Sequence, residues 1–169
     1  MKFAIALIII VITLVILVGS YAKTLPLSLK DQNIDIVRLS IHAFNEGDWS
    51  SFADLHSPNY LHHAPDSIDP VSLCEYMLSC SVAHEHFADL QYRIVDIFAD
   101  NDNVAVLCTW HYRNDSYQFK KNFPDGAIQG SEINIYRIKD VKIIEDWYGC
   151  GPLMMQRLVS FSKSIEHIK

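Results

Sequence analysis

The spacing of hydrophobic positions changes about half-way along the chain. In the first half, apolar residues recur every three or four positions, as Ile34, Val37, Ile41 and Phe44 do, and this spacing predicts amphipathic helices. In the second half they alternate with polar residues, which is typical of strands with one buried face. Helices followed by a meander of strands predict an α+β fold.

Residues that favour helix ends divide the first half. Gly47 ends the first predicted helix, and Asp48 caps a short second helix that continues to Leu55. Residues 60–63 are predicted to form a short strand. Asp69-Pro70 places an acidic N-cap before a proline at the first helical position, which predicts the start of a third helix.

The second half is predicted to contain at least four antiparallel strands. A phase slip at Val95 predicts a β-bulge in the first of them. Polar residues 113–122 are predicted to be a loop, and Lys139-Asp140 is predicted to be a tight hairpin between strands 131–138 and 141–148. A final helix is predicted over residues 153–168. A curved sheet around the N-terminal helices would enclose a cavity, a common place for a small ligand.

The N-terminus differs from the rest of the chain because residues 3–22 carry no charge. This segment is either a signal peptide, since Ser20-Tyr21-Ala22 offers a small-residue cleavage site, or a membrane anchor, since 20 helical residues span ~30 Å. Residues 1–22 are therefore excluded from the domain, 23–32 form a linker and 33–169 form the folded domain. Either alternative predicts that the domain lies outside the cytoplasm, exported to the periplasm, secreted or anchored to the membrane.

Charge argues against a nucleic-acid partner. The chain has 14 basic and 20 acidic residues, and only Lys2 lies in the first 22 positions, which leaves a net charge of −7 on the remainder. Such a surface repels a phosphate backbone.

Four cysteines leave one disulfide to consider. Cys74 and Cys80 lie six residues apart in a predicted helix, ~9 Å along its axis, which is too far for a bond. Cys108 with Cys150 is the pair to test, although four small buried thiols are the favoured interpretation.

Glu145 and Asp146 are the main candidates for acid–base chemistry. They are adjacent on a predicted strand, so only one can face the cavity. Glu145 shares its side of the strand with Val141, Ile143 and Trp147, which favours Glu145 as the inward group with a raised pKa. The alternative is that Glu145 pairs with Arg137 or another basic residue, and Asp146 is expected on the solvated side.

Histidines and aromatic residues supply the other candidates. His63 and His111 are possible acid–base partners of Glu145, and Trp110, Tyr136 and Trp147 are expected to line the pocket. His84-Glu85-His86 lacks the spacing of a helical zinc motif, because residues two apart on a helix diverge. Gly149-Cys150-Gly151 lacks the third glycine and the βαβ context of a dinucleotide site. We therefore expect neither a metal nor a cofactor.

Several segments in order resemble one family. They are FNEGDW (44–49), SPNYLHHAP (57–65), FADLQYRIVD (87–96), DNVAVLCTW (102–110), PDGAIQG (124–130) and YRIKDVKIIEDW (136–147). Together they resemble the SnoaL-like polyketide cyclase and ester cyclase group of the nuclear transport factor 2-like superfamily. The resemblance implies a cone-shaped α+β barrel, often a homodimer, with a pocket between the concave sheet and the helices.

The resemblance also implies site residues. A histidine is common in the H-x-P segment, here His63, and catalytic members use an aspartate four residues past the tryptophan of E-x-W. Counted from Trp147, that position is Gly151, which carries no carboxylate. The sequence therefore favours an exported domain that binds a small apolar ligand. The alternative is an acid–base enzyme without cofactor, of the cyclase, isomerase or hydrolase type, that acts on a small carbonyl compound through Glu145 with His63 or His111.

Overall fold

Four helices and a six-stranded sheet make up residues 27–150 of the described chain, and residues 10–13 are also helical. The structure is a computed structural model and describes residues 10–13, 27–65 and 67–150. The elements are α1 (Leu29–Glu46), α2 (Trp49–Leu55), β1 (His56–His63), β2 (Val71–Ser72), α3 (Leu73–His86), β3 (Ala88–Asp100), β4 (Asn103–Arg113), α4 (Tyr117–Asn122), β5 (Ala127–Lys139) and β6 (Lys142–Cys150). The predicted α+β class is confirmed.

The strands form one open, curved sheet in the order β2-β1-β6-β5-β4-β3. The pairs β3–β4, β4–β5 and β5–β6 are antiparallel, as predicted, but β1 runs parallel to β6. The predicted antiparallel sheet is therefore wrong in one respect, because the sheet is mixed, whereas its open curvature is consistent with the predicted cone. Parallel pairing is possible here because the whole of α3 to β5 lies between β1 and β6 and provides a long crossover.

Helix α1 packs one face against the concave side of the sheet. Its buried residues include Val37, Ile41 and Phe44, which recur at helical spacing. Gly47 ends α1 in the left-handed conformation with φ 65°, and Asp48 caps α2 by accepting a hydrogen bond from the Ser51 N–H, both as predicted.

The start of α3 differs from the prediction. Ser72, not Asp69, is the N-cap, and it forms a reciprocal capping box with Glu75. The capping box satisfies two backbone donors at once, whereas Asp69-Pro70 offers one acceptor. Residues 117–122, predicted as loop, form the short helix α4, which is capped by Ser116.

Two features of the strands match the sequence prediction closely. The register of β3 against β4 shifts between Ile94 and Asp96, which confirms the bulge at Val95. The β5–β6 hairpin is also confirmed, one residue later than predicted, with Asp140 and Val141 between the paired Lys139 and Lys142. Both turn residues have positive φ, 51° and 62°, which matches the twist of a two-residue hairpin.

A Cys108–Cys150 disulfide is incompatible with this sheet. Cys108 pairs with Glu132, and Glu132 pairs with Cys150, so β5 separates the two cysteines. Two interstrand spacings of ~4.8 Å place their Cα atoms roughly 9–10 Å apart, beyond the reach of a disulfide. Cys108 is a buried free thiol, and burial raises its pKa to about 12.

The N-terminal prediction lies almost entirely outside the described residues. Within them, no helix is both long enough and apolar enough to cross a membrane. Export, anchoring and the homodimer stay predictions, and the predicted final helix over 153–168 also lies outside the described residues.

Candidate functional site

A cavity of about 290 Å³ lies between the concave face of the sheet and helices α1 and α3. Its walls are mostly aromatic and aliphatic, which is usual for a small-molecule site. Polar groups are contributed mainly by β1, β5 and β6, and they include His56, Tyr60, His62, Glu132, Asn134, Asp146 and Tyr148.

Asp146 is the centre of the polar wall. Its side chain is buried, with 3% of the residue exposed. The Tyr60 hydroxyl donates to Asp146 Oδ1 at 2.7 Å, and His62 Nδ1 lies 2.8 Å from the same oxygen. All three side chains line the cavity, so β1 and β6 bring a carboxylate, an imidazole and a phenol together where a ligand could bind.

Glu145 lies outside the cavity, and the predicted inward position of Glu145 is wrong. The reason is a second bulge, because the β5–β6 register shifts from Ile138–Ile143 to Arg137–Glu145. The extra residue, Ile144, reverses the alternation of β6, so Ile143 and Asp146 are both buried on the inner side.

The outer side of the same strands carries what we call the outer cluster: His63, Arg137, Glu145 and Trp147. Glu145 lies 2.8 Å from His63 Nε2 and accepts a hydrogen bond of 2.8 Å from Arg137 Nη1, which confirms the predicted alternative pairing. The Trp147 ring stacks on His63 with ring centroids 5.0 Å apart, and the guanidinium carbon of Arg137 lies over the Trp147 ring, 4.8 Å from its centroid. His63 and Trp147 are therefore not pocket residues, contrary to the prediction.

The remaining predicted residues fall in three different places. Tyr136 lines the cavity, as predicted. Trp110 is buried beside the cavity rather than in its wall, where it stacks on Tyr112 and covers Gly130 so closely that a Cβ there would lie 2.6 Å from its ring. His111 is exposed on the outer side of β4, so it cannot act with cavity groups.

The sequence identifies the family to which this fold and cavity belong. A sequence model of the SnoaL-like polyketide cyclases matches residues 34–154, most of the chain. The chain belongs to the SnoaL-like family. No curated protein matches the sequence significantly.

Solved structures show the same fold as this SnoaL-like domain. A SnoaL-like protein from Jannaschia sp. CCS1, presumed to be a polyketide cyclase, is similar with a TM-score of 0.66, 17% identity, and coverage of 81% of this chain and 97% of that one. IdmH from Streptomyces antibioticus, also a presumed polyketide cyclase, is similar with a TM-score of 0.62 and 20% identity, and the match covers 76% of this chain and 99% of IdmH. AclR from Streptomyces galilaeus, a presumed hydroxylase, is similar with a TM-score of 0.61 and 21% identity, and the match covers 77% of this chain and 98% of AclR.

Glu132 is a second buried carboxyl group in the cavity of this SnoaL-like domain, and the sequence analysis missed it. It alternates with Asn134 and Tyr136 on the inner side of β5, and only 4% of the residue is exposed. Asn134 Nδ2 donates to Oε1 at 2.7 Å. Burial raises the pKa of Glu132 to about 7, while contacts with Asn134, Trp110 and Tyr148 oppose the rise.

His56 and His62 differ in what they can do. Burial lowers the pKa of His56 to about 4, so its imidazole is neutral at pH 7. The ring of His62 stacks on Tyr76 with centroids 4.1 Å apart, which fixes its plane. If His62 Nδ1 donates to Asp146, Nε2 carries the lone pair and can accept a proton. The cavity thus combines a carboxylate–imidazole pair with a carboxyl group that titrates near neutrality.

The histidines of His84-Glu85-His86 have structural neighbours. The His84 ring packs edge-on against Phe44 and Trp49, at centroid distances of 4.9 and 5.2 Å. His86 Nδ1 lies 2.9 Å from the carbonyl oxygen of Val82, one helical turn earlier. Gly151, the position at which the resemblance implies a reactive aspartate, lies outside the described residues.

The raised pKa of Glu132 predicts a pH-dependent stability. The folded state holds the Glu132 proton up to about pH 7, and the unfolded state loses it near 4.5. The contribution to stability is therefore complete below pH 4.5 and is lost as the pH rises to about 7, at a cost of up to about 3 kcal/mol. Glu132→Gln removes this loss. The free energy of unfolding of Glu132→Gln minus that of the natural protein should be about 2–3 kcal/mol larger at pH 8.5 than at pH 5.

Urea unfolding at the two pH values measures this difference. The lowered pKa of His56 acts in the opposite direction below pH 6.5, but it is common to both proteins and cancels. Glu85→Gln, on the exposed side of α3, is the matched control and should follow the natural protein at both pH values. Parallel pH profiles for Glu132→Gln and the natural protein would show that the Glu132 carboxyl is not buried in this way.

Proposed function

We propose that this SnoaL-like domain binds a small, largely apolar ligand in the cavity between the sheet and helices α1 and α3. The observation that carries the proposal is the cavity itself, about 290 Å³ in volume, with aromatic walls and a few polar groups on one side. Binding of an apolar molecule to such a surface is favourable because it removes apolar surface from water, and the polar groups of the cavity orient that molecule.

Methyl resonances distinguish a ligand in the cavity from one on the outside of the sheet. Ile41 lines the cavity, whereas Ile133 and Ile135 are exposed on the outer side of β5. With isoleucine methyl groups labelled with ¹³C, titration of 2-phenylethanol should shift the Ile41 signal and leave those of Ile133 and Ile135 in place. Shifts confined to Ile133 and Ile135, or no shift at all, would contradict binding in the cavity.

A second candidate function is acid–base catalysis on a small carbonyl compound. The observation that favours it is the convergence of Asp146, His62 and Tyr60 on one wall of the cavity, with Glu132 on the neighbouring strand. Asp146 with His62 would accept a proton from a carbon next to the carbonyl group. The protonated form of Glu132 would donate a hydrogen bond to the carbonyl oxygen. Asp146 and His62 then replace Glu145 and His63 as the acid–base residues.

A further inference from the structure

The carboxyl group of Glu132 has one oxygen without a donor at hydrogen-bond distance. Oε1 accepts from Asn134, whereas no donor among the described residues lies within hydrogen-bond distance of Oε2, although Trp110 and Tyr148 also interact with the carboxyl group. The side chain is nine-tenths or more buried and lines the cavity. Buried carboxyl oxygens are normally paired, so this oxygen is positioned to accept a hydrogen bond from a molecule in the cavity.

The charges around the cavity favour a cation. Both carboxyl groups of the wall, Glu132 and Asp146, are buried, and no lysine or arginine lines the cavity within the described ranges. His56 supplies no compensating charge at pH 7 because burial lowers its pKa to about 4, and His62, the other histidine of the wall, is paired with Asp146 and not with Glu132. An anionic ligand would be repelled by this wall, and the repulsion would be poorly screened away from bulk water.

The aromatic walls point in the same direction. Tyrosine side chains from five different strands line the cavity, namely Tyr60, Tyr92, Tyr112, Tyr136 and Tyr148. Aromatic faces carry negative charge density and attract ammonium groups, most strongly where water is excluded.

We propose that the ligand of this cavity is an organic cation: a protonated amine on a small apolar body, with an ammonium N–H that donates to Glu132 Oε2. This inference rests on the proposed ligand-binding function and specifies its ligand class. The apolar body contacts the aliphatic and aromatic walls, and the ammonium group lies between Glu132 and the tyrosine rings.

Three probes of nearly equal size and different charge test the proposal: 2-phenylethylammonium, 2-phenylethanol and 3-phenylpropanoate. Affinities are measured by calorimetry at about pH 8, where Glu132, with a pKa of about 7, is largely ionised. We expect the ammonium probe to bind at least about tenfold more tightly than the alcohol, because a charge-assisted hydrogen bond replaces a neutral one. The propanoate should bind most weakly. Near pH 7, binding of the ammonium probe should also release protons as Glu132 ionises.

Glu132→Gln keeps the shape of the side chain and removes its charge. We expect this variant to bind the ammonium probe about tenfold more weakly, with little change for the alcohol. Glu85→Gln, on the exposed side of α3, should bind both probes as the natural protein does. Proton release is measured on the natural protein, so it tests the proposal even if Glu132→Gln does not fold.

The outcomes separate this inference from the proposed function. If the alcohol binds in the cavity and the ammonium probe binds no more tightly, the cation proposal is overturned and the apolar site stands. Tightest binding of the propanoate overturns it too, as does an ammonium probe that shifts the methyl signals of Ile133 and Ile135 instead of Ile41. If none of the three probes binds in the cavity, both proposals are overturned.

Discussion

Replacing Asp146 with alanine is expected to lower the free energy of unfolding by about 3–5 kcal/mol, because two buried hydrogen-bonding groups lose their acceptor and the volume of the side chain is left empty. The carboxylate accepts from the Tyr60 hydroxyl and is 2.8 Å from His62 Nδ1. Its removal leaves both groups buried and without their acceptor, and opens a small void in the wall of the cavity. Urea unfolding at pH 7 measures the loss.

The adjacent carboxylate provides the matched control. Glu145→Ala removes contacts with His63 and Arg137 that lie at the surface, where the Arg137 side chain is 47% exposed. Water can solvate those partners, so we expect a loss of only about 1 kcal/mol. A loss at Glu145 equal to or larger than that at Asp146 would mean that β6 has the opposite phase, with Glu145 inside.

Local signals in the sequence were enough for the fold class and for the boundary between the first two helices. Gly47 and Asp48 end one helix and begin the next through their own backbone and side-chain chemistry, which needs no distant partner. The bulge at Val95 was also predictable, because Ile94 and Val95 interrupt the alternation of β3 with two consecutive apolar residues.

The same signal is present in β6, where it decides the site. Ile143 and Ile144 are also consecutive apolar residues, and the register shifts at that point. Simple alternation carried through such a pair places Glu145 inside, whereas one extra residue places Asp146 inside. A bulge at Ile144 would therefore have predicted the correct carboxylate. Residues two apart on a strand point to the same side, so the apolar ring of Tyr60 would have predicted that His62 lies on the inner side of β1, as it does.

Other parts of the site depend on long-range pairing. Asp146 meets His62 because β1 lies parallel to β6, 84 residues away in sequence, and no local pattern specifies that pairing.

Glu132 was missed for a different reason. Ile133 and Ile135 are exposed on the other side of β5, so both sides of this strand contain apolar residues and the pattern does not identify the inner one.

The second prediction with a large effect concerns proton transfer. If the cavity is catalytic, the natural protein should accelerate the exchange of hydrogen for deuterium next to the carbonyl of 2-indanone in D₂O, followed by proton NMR. Asp146→Asn should slow this exchange by ~100-fold or more, the usual range for loss of a general base. Asparagine keeps an oxygen that can accept from Tyr60, so the fold should survive the change.

Glu145→Gln decides between the two adjacent carboxylates in the same assay. Glu145 contacts His63 and Arg137 in the outer cluster and cannot reach a molecule in the cavity, so its loss should leave the exchange rate unchanged. The opposite result, exchange lost in Glu145→Gln and kept in Asp146→Asn, would restore Glu145 as the catalytic carboxylate and contradict the inner position of Asp146. Exchange no faster than in buffer for the natural protein would remove acid–base catalysis on this ketone and favour ligand binding as the function, because the carboxylate–imidazole pair would then serve to orient a ligand.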